Sequence, residues 1–443
     1  MLAIFVLLAI ILIPLAIFRY PVIALAIFLT TASLKPFLLK VSFFQKVDYT
    51  VLCASLLLLS MAFDFIRSGG RLKNIINAPL CVFLALAFLL LFGMLYTSAP
   101  KYGFEKSTRF ATFGLITFLA PVVLTHSIKD IRSIMWMLVV IGVIVATGTI
   151  VGQQIPVFGF SRTGFLESDV ITTGENIAPA AIIAFIFAIM PNTSKRLKTF
   201  SIALIPMVVV AMILTGSRGP LVGLVLIWLA AVFICHRETS KTWQLFIVGA
   251  IVIILMISFA KLPEQVTGRI ARLWSGSYEL GTDVSKRTNL FSWALERFPE
   301  RPVFGHGTGS FAVGYGGQDV RLYPHNIIIE SLYEQGLAGG ITLILFVWLI
   351  FRRWKHASKL VRLYELDIGI FQIVHTAGLL FLFSFIQAMK SGDLDSNRFM
   401  FFQAGMVVAA FGLVYRRVEE ISSENEPELY GSQQIEEADF QDT

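Results

Sequence analysis

The sequence predicts an all-α polytopic membrane protein with about twelve or thirteen transmembrane helices. Three observations predict it. First, 56% of the 443 residues are hydrophobic and only 15% are charged, where a soluble protein carries about 25% charged residues. Second, the mean hydropathy is +0.75. Third, apolar runs of roughly 17–22 residues recur along most of the chain, the length that spans a bilayer as a helix. Lone strands cannot cross lipid with unpaired backbone groups, so the runs must be helices.

Taken in order, apolar segments fall at 2–18, 22–39, 50–66, 79–96, 110–125, 134–152, 174–190, 200–215, 220–235 and 244–260. Three more follow at 337–351, 368–389 and 399–415. The N-terminus, Met1-Leu2-Ala3-Ile4-Phe5, has no basic leader and no small-residue cleavage site, so it reads as a retained helix. Lys35-Pro36 interrupts the second segment. The organisation is therefore helices one to ten over residues 1–260, one long loop with short helices over 261–336, and helices eleven to thirteen over 337–415. Residues 416–443 are acidic and poor in apolar groups, and read as a disordered cytoplasmic tail.

Basic residues orient the chain. Clusters at Arg67/Arg71/Lys73, Lys129/Arg132, Lys195/Arg196/Lys198, Arg237/Lys241, Arg352–Arg362 and Arg416/Arg417 fall on alternate loops. One threading puts all of them in the cytoplasm. The 261–336 loop is then outside, and its own basic character does not veto this, because long loops translocate largely regardless of charge. Thirteen spans place the N-terminus outside, and twelve place it inside. The net charge of +7 is no nucleic-acid signal, because the basic groups sit at helix ends where they meet lipid phosphate. Cys53, Cys81 and Cys235 all lie in apolar runs and give no disulfide framework or metal spacing.

The polar island from Lys261 to Gly340 is where chemistry is expected. Residues 286–298 have Leu290, Trp293, Ala294 and Phe298 on one face, as an amphipathic helix that lies along the membrane surface with Lys286 and Arg287 at its start. His325 precedes a helical run in which Asn326, Glu330 and Glu334 share a face. A neutral imidazole can accept a proton from a sugar hydroxyl. His306, inside Gly305-His306-Gly307-Thr308-Gly309-Ser310, is the rival base, although that run reads as a tight turn needing backbone freedom. His375 lies mid-helix and suits an interhelical hydrogen bond.

Outside the island, Thr215-Gly216-Ser217-Arg218-Gly219-Pro220 joins two apolar runs on the outer side. Pro220 suits the start of a helix, Ser217 or Gly219 its cap, and the helix N-terminus with Arg218 is an anion site. The bland alternative for Arg218, as for Arg162 and Arg109, is an interfacial arginine snorkelling to lipid phosphate. Asp393 and Asp395 are two carboxylates that can hold a divalent metal on a diphosphate, against the plainer reading of a solvated loop. No HExxH, Walker A or Cys/His metal pattern occurs.

In order and spacing, Ser217-Arg218-Gly219, Arg287 in its helix, the Gly305–Phe311 turn and Pro324-His325-Asn326…Glu330…Glu334-Gln335-Gly336…Gly339 resemble the O-antigen ligase and Wzy-type polymerase superfamily. The resemblance covers about residues 150–415. It implies a bacterial inner-membrane, GT-C-like glycosyltransferase with its active site at the periplasmic face, independent of metal and without a cofactor. It implies a donor glycan on undecaprenyl pyrophosphate. The acceptor is a lipid A core sugar in ligases and another lipid-linked repeat in O-antigen, exopolysaccharide or capsule polymerases. Carried over by motif, Arg218 and Arg287 bind the pyrophosphate and His325 is the catalytic histidine, with Lys286, Asn326, Glu330, Glu334, Arg162 and His306 in support. Direct displacement inverts the anomeric centre.

Two other classes compete. A transporter or flippase of lipid-linked sugars carries charged or helix-breaking residues deep in its spans, whereas here charges are expected mainly at span ends and in outer loops. A membrane scaffold leaves Arg218, Arg287 and His325 on one side unexplained.

Overall fold

The computed structural model describes residues 19–39, 48–70, 76–154, 169–191, 193–215, 217–235 and 279–425. Among the described residues every regular element is helical. Nine helices there are long and apolar enough to cross a membrane by length and composition. The expected spans at 2–18 and 244–260, and the acidic chain beyond Asn425, lie outside the described residues.

The elements run α1 (Pro21–Leu29), α2 (Thr31–Leu38), α3 (Tyr49–Arg67), α4 (Ala78–Phe92), α5 (Pro100–Leu124), α6 (Ile128–Gln154) and α7 (Val170–Ile189). They continue with α8 (Lys195–Leu214), α9 (Arg218–Ile234), α10 (Glu279–Arg297), α11 (Phe311–Gly316), α12 (Ile327–Leu363), α13 (Ile368–Ala388) and α14 (Arg398–Asn425). The starts are written in the sequence. Asp48, Asn77, Asp169, Ser194, Asn326 and Asp367 each precede an apolar run, and each side chain accepts a first-turn backbone N–H. Inside α5 one π-turn, Phe110–Gly114, passes the helix on without a break.

Several expectations are corrected. The segment 22–39 is two short helices, and the break falls at Thr30, not at Lys35-Pro36. The Thr30 hydroxyl bonds the Ala26 and Ile27 carbonyls there. The 110–125 span starts ten residues earlier, at Pro100. The basic stretch 352–362 is the helical end of α12, and α14 runs on through Arg416 and Arg417 to Asn425, so the tail begins later than residue 416. Amphipathic α10 does not lay its apolar face on lipid. Leu290, Trp293 and Ala294 pack instead against Phe311 and Tyr333.

Helices α7 and α13 are the most buried spans. Helix α7 packs on α6, α8 and α9, while α13 packs on α9, α12 and α14. Where α4, α5, α12 and α14 meet, Phe83 stacks on Phe110 and Phe118 at 4.9 and 5.6 Å between centroids. Phe401 and Phe346 close on it edge-on, at 5.3 and 6.1 Å. Such aromatic pairs add about 0.5–1.5 kcal/mol each beyond area burial. In the bilayer, where lipid tails supply no hydrophobic drive between helices, this packing holds the bundle together. It fixes the ends of α5, α12, α13 and α14 against one another, and the polar island sits on those ends.

Candidate active site

The island is built around a broken helix. Helix α12 leaves helical geometry at Gly336, where φ is 67° and ψ is −158°, a conformation open essentially to glycine alone. The break strands the carbonyls of Tyr333 and Glu334 and the N–H groups of Leu337 and Ala338. The 302–307 segment satisfies all four. His306 and Gly307 donate to Tyr333 O and Glu334 O at 2.9 Å each, and Pro302 O and Val303 O accept from Leu337 and Ala338 at 2.8 and 3.1 Å. Each such group left unpaired in lipid costs several kcal/mol, so the glycine turn is what permits the break. The turn also needs its glycines for space. A Cβ on Gly307 would meet Thr97 Cα at 2.6 Å, and one on Gly309 would meet Gly103 Cα at 2.8 Å.

His306, the rival base, is engaged in this packing. Its ring stacks on Tyr333 at 4.5 Å between centroids, and Nε2 lies 3.1 Å from Arg297 O.

Glu330 and Glu334 share a face, as their spacing predicts, but that face turns into the bundle. Both are buried, and both bind the fully buried ammonium of Lys106 from α5. Glu334 stands 2.6 Å from Lys106 Nζ and also accepts Gly309 N–H at 2.9 Å. Glu330 accepts Leu394 N–H at 3.1 Å through its other oxygen. Charged groups therefore do lie within spans, in the first two or three turns of α5 and α12. This corrects the expectation that they stay at span ends and in loops.

The carboxylates of the loop after α13 are likewise not solvated. Asp393 and Asp395 are buried. Asp393 takes a two-point ion pair from Arg321, at 3.0 and 3.1 Å, and the Tyr102 hydroxyl at 2.6 Å. Burial pushes the Asp393 carboxyl up, but the Arg321 charge and hydrogen bond outweigh it and hold the group below the usual carboxylate range. Burial and the Asp393 charge push Asp395 up to about 8. No group of three or more His, Cys, Asp or Glu side chains suited to a metal occurs among the described residues.

On the cluster rests His325. Its φ is 57°, a left-handed backbone that among the described non-glycine residues only Glu365 shares. Strain of this kind costs about 1–3 kcal/mol and is retained where the surroundings impose it. Tyr323 meets the imidazole edge-on at 4.6 Å, and Nδ1 is buried without a hydrogen-bond partner among the described residues. Burial lowers the pKa of His325 from 6.5, the Arg287 and Arg321 cations lower it further, and Asp393 opposes them. Asn326, expected to support the base, caps α12 through Ile328 and Ile329 N–H. Its amide also donates to Met389 O at 3.3 Å.

The turn that ends α13 gathers the remaining motifs. Arg287 Nη1 donates to Lys390 O at 3.2 Å. Lys390 Nζ and Gln387 Nε2 donate to Gly219 O at 3.1 and 3.3 Å. Helix α9 begins at Arg218, and Ser217 sits at its cap position without a side-chain bond. The His325-Asn326 motif, Arg287 and the backbone of Arg218-Gly219 are thus all tied to residues 387–390. The side chains of Arg218 and Lys286, and all of Arg162, lie outside what is described.

Sorting the cations shows what the site can do. Lys106 is matched by Glu330 and Glu334, Arg321 by Asp393, Arg109 by Glu105 and Arg297 by Glu300. Among the described residues no carboxylate pairs with Arg287 or Lys390, and the bonds they make are to backbone carbonyls. Among the described residues, two cations without a carboxylate partner, a helix start and a histidine whose pKa is lowered thus gather at one turn, an arrangement chemically suited to an anion. Sequence reasoning missed Lys390, Lys106, Arg321 and Tyr102. Lys390 alone left a signal: it is a lone lysine after a span on the side where the other clusters do not fall.

Residues 202–347 match the family model described as O-antigen ligase. The match runs from α8 into α12 and takes in Arg218, Arg287, the glycine turn and His325. This likeness supports the resemblance to the O-antigen ligase and Wzy-type polymerase superfamily read from the sequence. No curated protein matches the chain.

Proposed function

We propose that the chain, a multi-pass membrane glycosyltransferase of this superfamily, moves a glycan from undecaprenyl pyrophosphate to a sugar hydroxyl of the lipid A core. In this reading it lies in the bacterial inner membrane with residues 261–336 and the α13–α14 turn at the periplasmic face. The observation that carries the reading is a pair of cations, Arg287 and Lys390, that meet no carboxylate among the described residues, beside a histidine whose pKa burial and nearby cations lower.

The chemistry follows from those groups. The His325 imidazole takes the proton of the acceptor hydroxyl. The oxygen attacks the anomeric carbon from the face opposite the diphosphate, and the bond from that carbon to the phosphate oxygen breaks. The configuration inverts, and undecaprenyl pyrophosphate leaves with the bonding electrons. Arg218, at the start of α9, and Arg287 meet the charge that grows on the bridging oxygen. One such donor contributes about 10²–10³ in rate, and a placed base about 10²–10⁴. A diphosphate is already a good leaving group, so the step needs neither a general acid nor a metal. Asp393, the nearest metal-ligand candidate, is taken up by Arg321 and Tyr102.

A polymerase uses the same step with another lipid-linked glycan as acceptor. The transporter reading draws on the buried charges of α5 and α12, but those charges are matched to one another and to backbone amides. The test is reconstitution of the purified chain with undecaprenyl-pyrophosphate glycan, with and without lipid A core. Core-dependent transfer is the expected result. A ladder of lengthened lipid-linked glycans without core makes the protein a polymerase. An intact donor in both tubes overturns the enzyme reading. His325→Ala should lose about 10²–10⁴ in turnover and still bind undecaprenyl pyrophosphate.

A further inference from the structure

We propose that Lys390 is a third cation of the donor site, binding the diphosphate directly through its ammonium group; this rests on the glycosyltransferase reading. The argument begins with the residue's position. Lys390 follows α13 by two residues and is half-buried. Its Nζ is held 3.1 Å from Gly219 O, at the first turn of α9, and its own carbonyl accepts from Arg287 at 3.2 Å. It therefore joins the two segments that carry the expected pyrophosphate ligands.

Charge supplies the second part. An ammonium partly withdrawn from water loses part of its hydration, and an opposite charge offsets that loss. A carbonyl oxygen offers only a partial charge, and among the described residues no carboxylate approaches. Burial and the neighbouring Arg287 charge lower the lysine's pKa, as expected for two like charges confined together. Of the other buried or half-buried cations nearby, Lys106 and Arg321 have carboxylates, and Arg398 lies over the Phe28 and Phe113 rings. A polyprenyl diphosphate entering between Arg287 and the start of α9 supplies the missing charge. The flexible lysine stem lets Nζ pass from Gly219 O to a phosphate oxygen without moving a helix. An anionic phospholipid headgroup offers similar chemistry, so the test must separate the two.

The experiment measures binding of undecaprenyl pyrophosphate and undecaprenyl monophosphate to the full chain in phosphatidylcholine nanodiscs, with and without phosphatidylglycerol. Lys390→Gln and Lys390→Arg are compared with the wild type, and thermal unfolding is recorded for each. Lys390→Gln should weaken diphosphate binding by on the order of tenfold to a hundredfold. It should weaken monophosphate binding less and leave unfolding unchanged, and Lys390→Arg should restore most of the affinity. Unchanged diphosphate binding by Lys390→Gln overturns the proposal. So does loss of both ligands together with a lowered unfolding temperature that arginine does not rescue, because Lys390 is then only a brace for α9. Equal competition by phosphatidylglycerol also overturns it, in favour of a headgroup contact. A wild type that binds neither polyprenyl lipid refutes the glycosyltransferase reading itself, a result distinct from a wild type that binds with a variant that does not differ.

Discussion

Replacing Lys106 with methionine tests whether the buried charge cluster holds the active site in place. The ammonium lies fully buried between Glu330 and Glu334. Without it, Glu330 keeps the Leu394 N–H at 3.1 Å, and Glu334 keeps the Gly309 N–H at 2.9 Å. Two carboxylates are then buried on backbone dipoles and, for Glu334, a long contact from the Gln335 amide at 3.4 Å. Removing one partner of a buried ion pair costs about 3–5 kcal/mol, and here one lysine serves two carboxylates, so the upper end of that range applies. The loss falls on the contacts that seat the glycine turn and the 393–397 loop, and with them His325. The assay is denaturant unfolding of the detergent-solubilised chain, with glycan transfer measured in parallel. Lys106→Met should lose about 3–5 kcal/mol and nearly all transfer. The triple variant Lys106→Met/Glu330→Gln/Glu334→Gln should recover most of the stability, because a neutral cluster of similar shape leaves no orphaned charge. Wild-type stability in Lys106→Met refutes the reasoning. So does a triple variant no more stable than the single one. Restored stability without restored transfer would move the cluster from positioning into the chemistry.

Three further outcomes follow from the same geometry. In the proposed mechanism His325 must be neutral to accept a proton, and burial with the nearby cations lowers its pKa from 6.5, so the acid limb of the kcat/KM profile should fall below that value. Activity should decline only as pH drops through it, and Arg287→Gln should move the limb toward higher pH by removing a cation that favours the neutral ring. Gly336→Ala should cost about 1–3 kcal/mol for its φ of 67°, and more for the Val303 carbonyl its Cβ would strike; an unfolding midpoint equal to wild type would mean the helix can close over the break. Transfer should persist in EDTA, and Asp393→Asn should act by loosening Arg321 and Tyr102, so full inhibition by EDTA with rescue by one divalent ion would return Asp393 and Asp395 to a metal role.

The sequence by itself determined the membrane class, most of the span positions and the residues that open the helices. Lipid is an unforgiving solvent for backbone, so an apolar run has to be a helix, and Asn77, Asp169, Asn326 and Asp367 mark the starts through their own side chains. The end of the long loop at Gly336 was also legible, because hydropathy rises where the broken helix resumes. The motifs Ser217-Arg218-Gly219, Arg287 and Pro324-His325-Asn326 could be read in order, and the O-antigen ligase match covers them. Only the tertiary structure decided which charges are taken up and which remain for a ligand. Lys106 meets Glu330 across 224 residues, and Lys390 meets Gly219 across 171. Arg321 pairs with Asp393, and Asn326 is held by the helix it caps. These pairings depend on how each helix is rotated in the bundle. Aromatic and small-residue packing sets that rotation, and the hydropathy of a single segment carries no record of it.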